Sequence, residues 1–351
     1  MRAVVASGGR LSVEEIAEPT PLAGQVLARS VHCGICGSDL HALQVQAATH
    51  AADPNAAPAQ VYGHEFCAEL LEYGPGTDRR IPLGSLVCCV PILDTPGGIE
   101  SVGYSATFPG GYSERIVLQE HRLVQVPAGL SAAQAALTEP LAVGVHAVGQ
   151  ANLQRGDVPL VIGCGPVGLA VISGLKVAGI GPIVAADFSP ARRRLAEIAG
   201  ADVVIDPATD SPYTSWAELA AKAAGEPVMP SVLWNGRARP NTVVFECVGV
   251  PGMLAKIIEQ VPVHTRMVVV GVCMAPDTFM PLTAILKEMS MTFVLAYRPD
   301  EFERSLHLIA DGKVNVEPWV TAHVGLDGVA DAFTALGNPD QHCKVLVNPS
   351  L

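Results

Sequence analysis

The chain has 351 residues, 49% hydrophobic and only 16% charged, a balance that fits about two globular domains and excludes a disordered chain. A net charge of −12 argues against nucleic acid or an anionic membrane as partner. The start, MRAVVASGGRLSVEE, turns polar too early for a secretory signal. The longest uncharged apolar run, residues 160–175, is short and glycine-rich, so no membrane span is expected. Nine cysteines, an odd number without regular spacing, fit a reducing cytoplasm better than a disulfide framework.

In chain order, residues 3–6, 26–31, 66–71, 85–90 and 114–118 read as short strands bounded by Gly-Gly, Pro-Gly and Pro signals. That pattern predicts a partly closed antiparallel barrel. From Ser131 the texture changes. Ser131 caps a short helix to Leu137, and a second helix has Pro140 in its first turn and runs toward Ala151.

The organising stretch is residues 159–187, PLVIGCGPVGLAVISGLKVAGIGPIVAAD. A strand, the turn Gly163-Cys164-Gly165-Pro166-Val167-Gly168, a helix and a second strand ending in Asp187 make the dinucleotide fingerprint in its required context. Gly163 permits the tight turn, Gly165 the close approach of a pyrophosphate, and Gly168 close packing of helix on strand. Asp187 can accept from both adenosine ribose hydroxyls and would repel the extra phosphate of NADP, so the cofactor read is NAD.

A repeating βα pattern follows. Ser189 caps a helix with Pro190 in its first turn, closed by Gly200, and strands are expected at 203–206, 242–247, 267–272 and 291–297. Six such strands predict a doubly wound parallel sheet. The long connection 207–241 holds one helix, near 215–224, and a Pro/Gly-rich loop. Amphipathic helices then start at Asp300 (Phe302, Leu306 and Ile309 on one face) and Asp327 (Val329, Phe333 and Leu336), before a strand at 344–347. These elements return to the first domain. The expected division is therefore 1–150 with 298–351, and an inserted 151–297.

Two clusters precede the nucleotide domain, Gly34-Ile35-Cys36-Gly37-Ser38-Asp39-Leu40-His41 and Gly63-His64-Glu65; Glu139-Pro140 opens a helix soon after. A thiolate, an imidazole and a carboxylate from separate segments form a mixed S/N/O set suited to Zn²⁺. Each signal alone has an ordinary structural explanation. Their ordered appearance before a dinucleotide fold is what gives them meaning. Asp39 reads as a supporting residue, and Cys33 as structural.

With these residues in view, the chain resembles the zinc-dependent medium-chain dehydrogenases, closest to the polyol, threonine and butanediol branch. The markers are GICGSDLH (residues 34–41), GHE (63–65), GGYSE (110–114), EPLAV (139–143) and GCGPVG (163–168). The resemblance implies an α/β protein with a GroES-like antiparallel β-barrel catalytic domain and an inserted Rossmann sheet. It implies Cys36 and His64 as zinc ligands, with Glu65 and Glu139 as carboxylates that bind the metal directly, through water, or alternately. It implies Ser38 and His41 as a proton relay running through the cofactor ribose, with Glu65 counted among the catalytic residues. The cofactor set is read as Gly163, Gly165, Pro166, Val167, Gly168, Asp187, Arg192, Gly249 and Gly271. Many members also carry a four-cysteine structural zinc lobe. Here that region offers only the adjacent Cys88 and Cys89, so one catalytic zinc and no structural zinc are expected.

The function implied is an NAD-dependent oxidoreductase interconverting a secondary alcohol (polyol, diol or hydroxy compound) and a ketone. Two alternatives stand beside it. An NADPH-preferring aldehyde or ketone reductase is opposed by Asp187. A catalytically silent dinucleotide-binding protein is opposed by the joint presence of Cys36, Ser38, His41, His64 and Glu139. Residues 92–108 and 286–291 are expected to border the substrate pocket. The edge strand at 291–297 points to a homodimer or homotetramer.

Overall fold

The computed structural model describes residues 1–53, 55–224 and 241–351. The Pro/Gly-rich loop expected in the 207–241 connection lies largely outside the described residues. Contacts divide the chain into two units, Met1–Glu139 with Phe302–Leu351, and Pro140–Glu301. Sequence texture instead draws the joints near 150 and 298. Both observed divisions fall inside helices, whose hydrogen bonding runs on unbroken, so composition does not mark them.

The first unit opens with the hairpin β1 (Arg2–Ser7) and β2 (Arg10–Glu15). Then come β3 (Gln25–Gly34), α1 (Gly37–Ala52), β4 (Glu65–Tyr73), β5 (Leu86–Cys89), the hairpin β6 (Ile92–Thr95) and β7 (Gly98–Ser101), β8 (Arg115–Gln119), β9 (Leu123–Gln125) and α2 (Ala132–Ala135). Ser131 caps α2 as expected, accepting the Gln134 N–H. α3 (Thr138–Gln150) leads into the second unit, which holds β10 (Val158–Ile162), α4 (Pro166–Val177), β11 (Val184–Ala186), α5 (Pro190–Ala199), β12 (Val203–Ile205), α6 (Pro212–Ala224), β13 (Thr242–Glu246), α7 (Met253–Gln260), β14 (Arg266–Val269), α8 (Pro281–Leu286) and β15 (Ser290–Phe293). α9 (Pro299–Ala310) leads back to β16 (Val320–Val324), α10 (Val329–Ala335) and β17 (Lys344–Val347).

In the first unit seven strands form one sheet, ordered β16-β17-β3-β4-β5-β9 with β8 also on β3. β3 is long enough to serve three partners. One edge pairs with β4; the other pairs with β8 near Gln25–Arg29 and with β17 at Cys33 and Gly34. Sharing one edge between two strands curls the sheet toward the expected barrel, and every pairing except β16–β17 is antiparallel.

In the second unit six strands run parallel in the order β12-β11-β10-β13-β14-β15. β10 and β13 are buried at every position, the continuous apolar pattern of strands covered on both faces. The order reverses between β10 and β13, which is where a doubly wound sheet opens its ligand crevice. The last strand stops at Phe293, four residues short of the expected end, because its pairing with β14 ends at Val269. The sequence pattern does not announce helix α1: of its sixteen residues only Asp39 and Gln46 are buried, so it has no continuous apolar stripe.

Candidate metal centre and dinucleotide cradle

β3 ends at Gly34, and the chain turns through Ile35 so that Cys36 sits at the N-cap of α1. β4 runs beside it in register, placing Glu65 opposite Gly34. A Cβ at Gly34 would lie 2.0 Å from Glu65 Oε2, so only glycine lets the carboxylate reach this end of the sheet. The result is that the ligand atoms of Cys36, His64 and Glu65 all lie within 4.8 Å of one another. It is the one such group of three or more among the described residues. Glu139, 9% exposed in the first turn of α3, stands outside it.

Asp39 organises the surroundings. It is fully buried, and its Oδ2 accepts the Cys36 N–H at 2.9 Å and the Tyr112 hydroxyl at 2.7 Å. Its Oδ1 lies 3.4 Å from His64 Nδ1. That is an ion-pair distance without hydrogen-bond alignment, since Nδ1 has no hydrogen-bond partner among the described residues. Burial disfavours the charged form of both groups, but each is outweighed by the other. The His64 imidazole is held well above its ordinary pKa by Asp39 and Cys36, and Asp39 is held below its own by His64. A carboxylate behind an imidazole is the arrangement that orients a metal-ligating histidine. A bound cation would replace the imidazole proton.

Sequence reasoning missed Lys344. The first residue of β17, it is 1% exposed, and its Nζ donates to Glu65 Oε2 at 2.6 Å, Glu65 Oε1 at 2.8 Å and the Ile35 carbonyl at 3.0 Å. Burial lowers its pKa, but Glu65 and Cys36 more than reverse this, and the ammonium stays charged. Its only sequence signal is a lysine opening an otherwise apolar strand. The donor set fits zinc: one thiolate, one imidazole fixed by a carboxylate, and one carboxylate with a cation balancing its charge.

Ser38 and His41 lie three residues apart on α1, and so on one face. His41 Nδ1 is buried with no hydrogen-bond partner among the described residues. Tyr104 and Tyr112, also unassigned from sequence, close over this corner. Burial and the nearby Asp39 push both phenols well above their ordinary pKa. Cys33 is fully buried with its thiol pKa pushed up by burial, in keeping with a structural role. Cys88 and Cys89 are also buried; their thiols face the Ala135 carbonyl and the Val90 and Gln119 carbonyls.

In the second unit β10 passes through Gly163 (φ +91°) to Gly165, the N-cap of α4, with Pro166 at its first position. A Cβ on Gly168 would meet the Gly163 carbonyl oxygen at 1.9 Å, which is the close helix–strand packing the third fingerprint glycine allows. Gly165, Pro166 and Val167 are partly exposed at this turn. Asp187 follows β11; its Oδ2 accepts the Cys164 N–H and its Oδ1 the Ser189 N–H, both at 2.8 Å. Each oxygen keeps a lone pair for another donor. Arg192 lies over the turn, Nη1 3.7 Å from the Cβ position of Gly165, and its buried Nε has no hydrogen-bond partner among the described residues. Arg193 is engaged by Asp206 at 3.0 Å and by the Asp187 and Phe188 carbonyls. Gly249 and Gly271 abut: a Cβ on Gly271 would meet Gly249 N at 2.3 Å. The buried Glu246 accepts the Val248 and Gly249 N–H groups at 2.7 and 2.8 Å.

Comparison with known proteins agrees with both halves. Residues 22–128 match the family described as the alcohol dehydrogenase GroES-like domain, and residues 166–311 the zinc-binding dehydrogenase family. The chain is 33% identical over 356 residues to (R,R)-butanediol dehydrogenase of Bacillus subtilis, covering 97% of each protein. It is 31% identical to the (R,R)-butanediol dehydrogenase of Neisseria gonorrhoeae, covering 98% of each. Among solved structures, 2R,3R-butanediol dehydrogenase from Bacillus subtilis superposes with a TM-score of 0.79 at 30% identity, over 99% of both chains. A barrel with its thiolate, imidazole and carboxylate at one corner, a glycine-turn parallel sheet, and full-length similarity at this level have one reading: the chain belongs to the zinc-dependent medium-chain dehydrogenases, in their butanediol and polyol dehydrogenase-like branch, enzymes acting on CH–OH groups.

Proposed function

We propose that the enzyme interconverts a secondary alcohol of the diol or polyol class and its ketone with NAD(H), using one zinc ion held by Cys36, His64 and Glu65, with Glu139 as the exchanging carboxylate. The observation that carries the reading is the convergence of the Cys36, His64 and Glu65 ligand atoms within 4.8 Å of one another. When bound, zinc supplies Lewis acidity that eases loss of the alcohol's hydroxyl proton, and NAD supplies the carbon that takes up the hydride.

The chain's own residues do the rest. Asp39 stands behind the imidazole of His64 and Lys344 holds the carboxylate of Glu65, which limits the reorganisation either ligand needs. Ser38 receives the hydroxyl proton and His41, on the same helical face, carries it onward. In the second unit Asp187 accepts from the ribose hydroxyls while Gly163, Gly165 and the start of α4, Pro166 to Gly168, cradle the pyrophosphate. Gly249 and Gly271 form part of the cofactor floor. Arg192, partly unpartnered over Gly165, is the one observation that favours NADP. Asp187 opposes it, because an acceptor-only carboxylate repels a 2′-phosphate. The enzyme is further read as a cytoplasmic homodimer or homotetramer; among the described residues no helix is long and apolar enough to cross a membrane.

The test is a panel of vicinal diols, polyols and simple secondary alcohols with NAD and with NADP, alongside metal analysis of the purified protein. One zinc per chain and a kcat/KM preference for NAD are expected, with Asp187→Ser eroding that preference. Equal or better efficiency with NADP in the unmodified enzyme overturns the role given to Asp187. Two zinc ions per chain overturns the single-metal reading.

A further inference from the structure

Tyr104 lies just after the β6–β7 hairpin, with its backbone pinned by the Gln60 side-chain amide, which donates to its carbonyl at 2.7 Å. Its hydroxyl donates to Ser38 Oγ at 2.7 Å and also lies 3.1 Å from Asp39 Oδ1. Its ring leans on His64, centroids 5.2 Å apart and planes 36° from parallel. Cys36 and Tyr112 donate to Asp39 Oδ2, so Oδ1 and Ser38 Oγ both face the single Tyr104 proton, and the shorter contact, to Ser38, is the principal bond.

A serine hydroxyl has one proton and two lone pairs, and on a helix surface its rotor is free. A serine that passes a proton on needs one lone pair to receive and its own proton to give, each aimed at a different neighbour. A second open lone pair lets the rotor settle in orientations where the transfer fails. The Tyr104 hydroxyl, held in place by the pinned backbone and by the ring contact with His64, occupies that second lone pair.

We propose that Tyr104 is a positioning residue for proton transfer: by donating to Ser38 Oγ it leaves that hydroxyl one lone pair for the substrate's hydroxyl proton and one proton to release onward. The proton count balances. Ser38 gains the substrate's proton and loses its own toward His41, while Tyr104 keeps its proton throughout. The inference rests on reading Ser38 as the first acceptor of the substrate proton.

The experiment is a double-mutant cycle in zinc-loaded enzyme with Ser38→Ala, Tyr104→Phe and the pair, measuring kcat for alcohol oxidation, KM for NAD and zinc content. Loss of one oriented hydrogen bond in the transition state should lower kcat of Tyr104→Phe roughly tenfold, with KM for NAD and zinc content unchanged. In the Ser38→Ala background the same change should cost nothing further. Ser38→Thr, which keeps the hydroxyl, should restore sensitivity to Tyr104→Phe. An equal loss in both backgrounds, or a loss of zinc from Tyr104→Phe, overturns the inference while leaving Ser38 in the relay. If Ser38→Ala itself leaves kcat unchanged, the relay reading falls and the inference with it.

Discussion

Burying an ammonium and a carboxylate together is costly unless their remaining hydrogen-bond capacity is met. Lys344 meets it, with three donors and three acceptors, Glu65 Oε1, Glu65 Oε2 and the Ile35 carbonyl. The pair ties β17, near the end of the chain, to the start of β4 at a proposed zinc ligand. With metal removed by chelation, Lys344→Met should lower stability by about 3–5 kcal/mol, because a buried carboxylate is left uncompensated. Lys344→Arg should recover part of that loss. Urea unfolding measures both, and a loss below about 1 kcal/mol would mean that Glu65 finds another partner. At this scale Cys36, His64 and Glu65 were readable as ligand types from their motifs. Lys344 was not: its partner is 279 residues away, and a lone lysine at a strand start is ordinarily a solvated one.

The glycine turn into α4 shows how an element sets a site. Gly168 is buried in the first turn of the helix, and its hydrogen occupies space that a methyl group would share with the Gly163 carbonyl. Gly168→Ala must therefore push α4 away from β10. A destabilisation of about 1–3 kcal/mol, typical of overpacking, should accompany loss of NAD binding, read by thermal unfolding and by quenching of protein fluorescence on NADH addition. Binding at wild-type affinity would show that the turn relaxes without cost. Helix boundaries followed local chemistry where caps were explicit, as at Ser189 before α5 and Gly200 (φ +111°) after it. Whole elements escape where it is not: α1 lacks an apolar stripe, and the strand β16 is exposed at alternate residues.

For the whole molecule, the open edge of the parallel sheet is the feature that bears on assembly. Among the described residues β15 pairs only with β14, and around it Leu282, Ile285, Leu286, Phe293 and Leu295 are 51–81% exposed. A strand edge left open beside several exposed apolar side chains is a feature that monomers ordinarily avoid. Two copies related by a two-fold axis can continue the sheet and cover that rim. Phe293→Glu should shift the proposed oligomer to a smaller species by light scattering, with the fold retained by circular dichroism. A wild-type protein that is monomeric at micromolar concentration would remove this reading.

By itself the sequence determined the class of the protein: two architectures with the parallel one inserted, the glycine turn with its terminal acid, and the residue types of the metal set. These are local signals, because a turn, a cap, a βα alternation or a ligand motif is written in neighbouring residues. Only the tertiary structure decided which candidates meet. It gathered Cys36, His64 and Glu65 while leaving Glu139 outside the group, set Lys344 against Glu65, and brought Tyr104 onto Ser38. Those contacts join segments 28 to 279 residues apart along the chain. They are set by how β3 shares its edges among β4, β8 and β17, a pairing choice that follows from the register and curvature of the folded sheet and that no stretch of sequence carries alone.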